Sequence, residues 1–230
     1  MIKTIVISGD IISSTSLTVD DRKLLEQQLK TLIDQLETKY NTYSRIIKGD
    51  YLECVVSKPQ DALKVALLIK CFVKAISISN DASYKNNHRI KFFKSHGIRL
   101  ALGYGELDRF DKTAGVIDGD AIYRSGRMIS ENSTHGKQRI VIKNTLFFSS
   151  DNTMLNKQMD ALLSLLDTII GNATARQCEV VYHKILGLSE DEISTRLDIG
   201  QPTVNQHSTS IGWNSIETTL NYFSTLFSNL

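Results

Sequence analysis

Proline is nearly absent, with Pro59 and Pro202 the only two in 230 residues, so no polyproline spacer or proline-rich recognition tract is present. The longest apolar runs fall well short of the ~20 residues that a membrane-spanning helix requires. Residues Met1 to Ser8 turn polar within a few positions and read as a first β-strand, not the apolar core of a secretion signal. Cys54, Cys71 and Cys178 each stand alone among apolar neighbours. Without paired spacing they make neither a disulfide framework nor a zinc site, and the reading is three buried thiols in a reducing cytoplasm. No charge dominates, since 27 Lys and Arg face 25 Asp and Glu. That balance conceals a division. Residues 171–230 hold three basic and six acidic side chains, a net −3, and the remainder a net +5.

What is present is an ordinary soluble composition, 41% hydrophobic and 23% charged, with a length that suits two modest domains. Residues 2–9 alternate as a strand. From Val19 to Tyr40, Leu24, Leu25, Leu29, Leu32, Ile33 and Leu36 recur at helical spacing on one face. Arg45-Ile46-Ile47 and Tyr51 to Val56 are strand-like runs joined by Lys48-Gly49-Asp50, a hairpin signal. Pro59 opens a helix that is apolar around most of its circumference, and residues 80–88 form a polar loop. Gly97 to Gly105 reads as a core strand, residues 120–133 as a helix and Arg139-Ile140-Val141-Ile142 as the last strand. The predicted order, β-α-β-β-α-β-α-β, fits an α+β fold: a ferredoxin-like antiparallel sheet with helices on one face. Residues 149–158 read as linker, and an apolar helix over 159–170 joins residues 1–150 to an all-α unit at 172–230.

Two aspartates at strand ends, Asp10 and Asp50, provide hard oxygen ligands of the kind that magnesium prefers, beside a loop with free backbone N–H groups. Gly-Asp is also common turn chemistry, so turn and cap roles compete with the metal role.

The C-terminal residues are more specific. Ser189 and Glu192 form a capping box before a short helix. Asp198-Ile199-Gly200 makes a turn, and Pro202 lies in the first turn of the next helix. Ile193, Leu197, Ile199 and Val204 are spaced to form the small core of a helix-turn-helix. The second helix would offer Gln201, Thr203, Asn205, Gln206 and His207 to base edges in a major groove. None of these is basic, and the segment's net −3 opposes phosphate attraction. Protein contact is the competing role.

Taken together, Gly9-Asp10-Ile11-Ile12-Ser13-Ser14-Thr15, Gly49-Asp50, Arg99 to Glu106, and Gly119-Asp120-Ala121-Ile122 with Arg127 resemble, in order, the signatures of class III nucleotidyl cyclase domains. With the C-terminal module, which is similar to LuxR-type and sigma region 4-type modules, the arrangement also resembles SatD-like proteins. The cyclase resemblance implies Asp10 and Asp50 as ligands of Mg or Mn, and Ile11, Ser13, Ser14, Thr15, Gly49 and Tyr123 around a nucleoside triphosphate. It implies Arg127 as the catalytic arginine, reaching the site across a homodimer. The chain departs from the pattern at Tyr123, where the family has an asparagine that orients the ribose. It departs again at Ile46 and near Val116, where the family reads the base. The leading expectation is a cytoplasmic DNA-binding regulator with a degenerate, nucleotide- or metal-sensing cyclase-like domain. The alternatives are an active cyclase with altered base preference and a non-catalytic adaptor. His88, His96 and His135 are expected at the surface.

Overall fold

The computed structural model describes residues 3–79, 84, 87–133 and 141–230. The first strand, β1 (Lys3–Ile11), leads through a single 3₁₀ turn at Ser14–Ser16 into α1 (Val19–Tyr40). Thr18 caps α1 by accepting a hydrogen bond from Asp21 N–H, and Asn41 ends it in a left-handed conformation at φ 49°. The hairpin follows as β2 (Tyr43–Ile47) and β3 (Tyr51–Val56), and Pro59–Asp61 feeds α2 (Ala62–Ala75). After α3 (His88–His96) come β4 (Ile98–Glu106), a small hairpin of β5 (Arg109–Asp111) and β6 (Val116–Asp118), and α4 (Asp120–Glu131). The last strand is β7 (Leu146–Ser149), and five helices complete the chain: α5 (Thr153–Asn172), α6 (Ala175–Ile185), α7 (Glu190–Leu197), α8 (Gln201–Ile211) and α9 (Trp213–Ser228).

The main sheet has the order β2-β3-β1-β4-β7. It is mixed, correcting the all-antiparallel expectation, because β7 runs parallel to β4 with Leu100 opposite Leu146. Helices cover both faces, which corrects the one-face expectation. Ile5 and Ile7 of β1 and Leu100 and Leu102 of β4 point into the large core shared with α1 and α2. Val6 and Val55 point the other way and pack with Ala121 of α4. This second covering requires glycine. A Cβ on Gly103 would lie 2.1 Å from the Ala121 carbonyl oxygen, so α4 rests directly on the strand.

Two other expectations move. Of the strand expected at 139–142, residues 139 and 140 lie outside the described residues and 141–144 are not strand. The chain pairs with β4 further on, where Leu100 N–H donates to the Thr145 carbonyl at 2.8 Å. The linker expected over 149–158 is largely helix, since Asn152 caps α5 through Met154 and Leu155 N–H. Part of the segment expected as a polar loop likewise belongs to α3, capped by Asn87. His88 is exposed there, His96 is half-buried at the helix end, and His135 lies outside the described residues.

The C-terminal helices bury side chains in the same core as the sheet. Cys178, Val181 and Ile185 of α6 and Leu220, Phe223 and Phe227 of α9 join Ile5 and Leu100 in it. Phe227 stacks on Phe223 and meets Tyr104 of β4 edge-on. A smaller cluster gathers Val180, Ile193 and Val204 with Leu188, Leu197 and Ile199, fixing α7 and α8 against α6. All three cysteines are buried and unpaired by disulfide. Among the described residues no helix is long and apolar enough to cross a membrane.

Candidate functional site

Strand register brings the two aspartates to one end of neighbouring strands. Asp10 lies opposite Tyr51, the residue after Asp50, and on its other side opposite Arg99. The Asp50 carbonyl accepts from Ile11 N–H at 3.0 Å. The carboxylates have different partners. Asp10 Oδ2 lies 2.9 Å from Arg99 Nη1, joining a 31% exposed acid to a guanidinium that is 1% exposed. Burial pulls the Arg99 pKa below its ordinary value, and the Asp10 charge acts against that shift. Asp50 Oδ2 accepts from Ser14 Oγ at 2.7 Å. In the sequence Arg99 stands as a lone charge inside the apolar run Ile98 to Leu102, where a buried cation requires a partner.

The loop between β1 and α1 is held in a defined shape. Ile12 N–H donates to the Gly97 carbonyl at 3.0 Å, and Ser13 is left-handed at φ 59°. Across from it, Lys48 and Gly49 take φ of 54° and 84° in the hairpin turn. Such conformations persist only where surrounding structure enforces them. Loop, turn and α1 enclose a cavity of about 270 Å³ lined by Ser14, Thr15, Gly49 and Asp50 with Arg22, Lys23, Lys48 and Glu26. Three cations, two carboxylates and two hydroxyls thus line it, with Glu26 paired to Lys30 at 2.8 Å. The cations were not singled out in the sequence, where adjacent basic residues early in a helix look like a solvated face.

Helix α4 buries Ala121, Ser125 and Ile129 against the sheet, with Ser125 Oγ 2.8 Å from Ser8 Oγ of β1. Tyr123 and Arg127 therefore lie on its outer side, Tyr123 58% exposed. The Tyr123 hydroxyl donates to the Asp118 carboxylate, and that bond raises the phenol's pKa. Among the described residues no ion pair engages Arg127, so the i,i+4 partner available at Glu131 is not taken. Arg124 instead pairs with Asp120 at 3.3 Å. On the hairpin, Ile46 packs against the large core. Arg45 occupies the other face, binding Glu53 at 2.6 Å through Nε and donating to the Gly115 carbonyl.

The residues proposed for DNA lie on α8. Gln201, Asn205 and Gln206 are exposed, and Thr203 and His207 are half-buried. Gln201 Nε2 donates to Glu190 Oε2 at 2.7 Å, with Asn205 Nδ2 at 3.5 Å from the same oxygen. Glu190 is held by Lys184 at 3.0 Å, the main reason its pKa lies below the ordinary carboxylate value. A carboxylate thus takes up two of the amides at the N-terminal end of the helix.

Among the described residues no group of three or more His, Cys, Asp or Glu gathers at metal-ion spacing. No protein-family model matches the chain, and no curated protein does. Among solved structures, two of a bacterial light-regulated adenylyl cyclase are similar over 64% of this chain at 14% identity, with TM-scores of 0.42 and 0.44. This chain spans 43% of the length of those proteins. A Trypanosoma brucei adenylate cyclase in its monomeric state is similar over 54% of this chain and 67% of its own, at 20% identity and a TM-score of 0.38. Likeness at this level transfers no residue roles.

Proposed function

We propose that residues 1–150 bind a nucleoside triphosphate together with Mg or Mn, and that two copies of the chain cyclise it with an altered base preference. The observation that carries this reading is the cavity beside Asp50, which Arg22, Lys23 and Lys48 line together with the hydroxyls of Ser14 and Thr15. That is the chemistry of a polyanion cradle with a carboxylate at its edge. Two carboxylates fit Mg better than an all-protein cage would, since Mg keeps waters and takes remaining ligands from phosphate. Asp10 and Asp50 would hold the ion, and it would supply Lewis-acid polarisation of a phosphoryl oxygen.

The other roles fall to the chain's own side chains. Ser13, Ser14, Thr15 and Gly49 orient the phosphates, the Ile11 N–H holds the Asp50 carbonyl and so fixes the turn beside them, and the three cations offset their charge. Arg127, outward-facing on α4, neutralises charge that develops on the α-phosphate of a site in a partner copy. Tyr123 and Ile46 supply neither the ribose amide nor the base contact of the cyclase pattern, which is the reason to expect a different base. The DNA-binding reading is not adopted, because no cation lies on α8 and Glu190 engages Gln201.

Incubation with each of the four nucleoside triphosphates and manganese, followed by chromatography, tests this. A cyclic product is expected from at least one base, lost in Asp10→Asn, Asp50→Asn and Arg127→Ala. Mixing the Asp50→Asn and Arg127→Ala chains should restore part of the activity, since some pairs then hold one intact site. The absence of any cyclic product, together with no calorimetric heat from triphosphate and manganese, rejects the proposal.

A further inference from the structure

We infer that the cleft between α1 and α6 binds an amphipathic molecule with one anionic end, of the class of a medium-chain fatty carboxylate. The cleft has a volume of about 980 Å³, close to the upper end of the ~300–1,000 Å³ typical of small-molecule sites. It is distinct from the cavity at Asp50, and nothing in the nucleotide reading bears on it.

Its floor is apolar. Phe72 and Ala75 of α2, Ile76 just after it, Leu24 of α1 and Leu186 just after α6 line it. These side chains are only partly covered, Leu24 being 37% exposed. A body of hydrocarbon would remove that surface from water.

One end is cationic. Arg196 of α7 lines the cleft, is exposed, and among the described residues makes no ion pair. Its charge acts on Tyr182 and His183 in the same wall. His183 Nδ1 is buried without a hydrogen-bond partner in the structure. Of the two acids that line the cleft, Asp34 and Glu179, Glu179 is bound by Arg176 at 2.9 Å. A carboxylate against Arg196 would complete the arrangement.

The cleft's walls are joined by two bonds, from Tyr182 hydroxyl to Gln35 Oε1 and from Lys39 Nζ to the Leu186 carbonyl at 2.5 Å. A molecule between them touches both the helix that follows the Asp10 loop and the helices that precede α8.

The test is displacement of 8-anilinonaphthalene-1-sulfonate from the full chain by dodecanoate, with dodecanol as the uncharged control. Dodecanoate should bind one per chain and more tightly than dodecanol. Arg196→Gln, on an exposed position, should weaken dodecanoate about tenfold and leave dodecanol unchanged. Leu24→Glu, which puts a charge into the apolar lining, should weaken both dodecanoate and dodecanol. Equal affinity of Arg196→Gln and the unaltered chain for dodecanoate overturns the inference. So does equal affinity of dodecanol and dodecanoate, or failure of both to displace the probe. Near-ultraviolet circular dichroism of each variant separates loss of binding from loss of packing.

Discussion

Arg99 and Asp10 lie directly opposite one another on β4 and β1 and close an ion pair at 2.9 Å, the arginine 1% exposed and the acid 31%. The carboxylate proposed to hold a metal ion therefore also offsets a cation that the fold has removed from water. Removing one partner of a buried pair leaves the other uncompensated, at a cost of about 3–5 kcal/mol, less where one partner is part-exposed.

Asp10→Asn should therefore lose about 2–3 kcal/mol of stability by urea denaturation as well as triphosphate binding. Asp50→Asn should lose binding at a stability cost of about 1 kcal/mol, because its carboxylate accepts one hydroxyl hydrogen bond from Ser14. Equal destabilisation by the two substitutions would refute the separate roles.

The contact between α4 and β4 gives a second expectation. A methyl at Gly103 would meet the Ala121 oxygen at 2.1 Å and the Ser125 nitrogen at 2.7 Å, both rigid backbone atoms. Gly103→Ala should cost about 3 kcal/mol, at the upper end of overpacking effects. Gly171→Ala is the control. It lies within α5, where nothing stands within 4 Å of the added carbon, and it should gain about 0.5–1 kcal/mol.

These two positions show what the sequence made legible. The leucines from position 25 to 36 mark α1 by helical spacing, and Ser189 with Glu192 marks α7 by cap chemistry, so local signals located both. The glycines at 103 and 105 were equally visible, but they read as the end of a strand. Alternating with apolar residues, they instead announce a second helix layer, because bare backbone on one face invites close approach. The last strand eluded reading for a different reason. Residues 139–142 and 146–149 are both apolar and β-prone, and only pairing with β4, some 45 residues earlier in the chain, selects the second. Asp10 and Asp50 announced themselves by motif. The cations at 22, 23 and 48 did not, since only folding brings α1 beside the hairpin turn.

Asp21 carries a pH dependence. Burial alone would raise its pKa, but hydrogen bonds from the Tyr84 hydroxyl, from Ser79 N–H and Oγ, and from Thr18 outweigh it and hold the carboxyl below its ordinary value. The unfolded chain then binds the proton more readily. The stabilisation is complete above the unfolded pKa of about 3.9 and is lost as pH falls through the lower folded value. Asp21→Asn should cost about 2 kcal/mol at neutral pH, with a difference that shrinks below about pH 3. Urea denaturation of both proteins at several pH values measures it. A pH-independent difference would place the contribution in packing, not charge.

Lys70 is as buried as Arg99, 1% exposed, with its ammonium 3.5 Å from Asp167. It donates to the Ile98 carbonyl at 2.8 Å, to the His96 carbonyl at 3.1 Å and to Thr145 Oγ1. Asp167 in turn accepts from Thr145 N–H and Oγ1. The network ties α2 and α5 to the start of β4, beside the Gly97 carbonyl that anchors the Asp10 loop. Burial lowers the Lys70 pKa and the Asp167 charge opposes that, so the ammonium depends on its counter-ion. Lys70→Met should cost about 3–5 kcal/mol by leaving Asp167 unpaired, and Asp167→Asn a similar amount by leaving Lys70 unpaired. The double substitution removes both charges and keeps an acceptor for Thr145. It should therefore cost less than the two single losses combined, by about 1–3 kcal/mol in a double-mutant cycle. Strict additivity would mean that the two charges do not sustain each other.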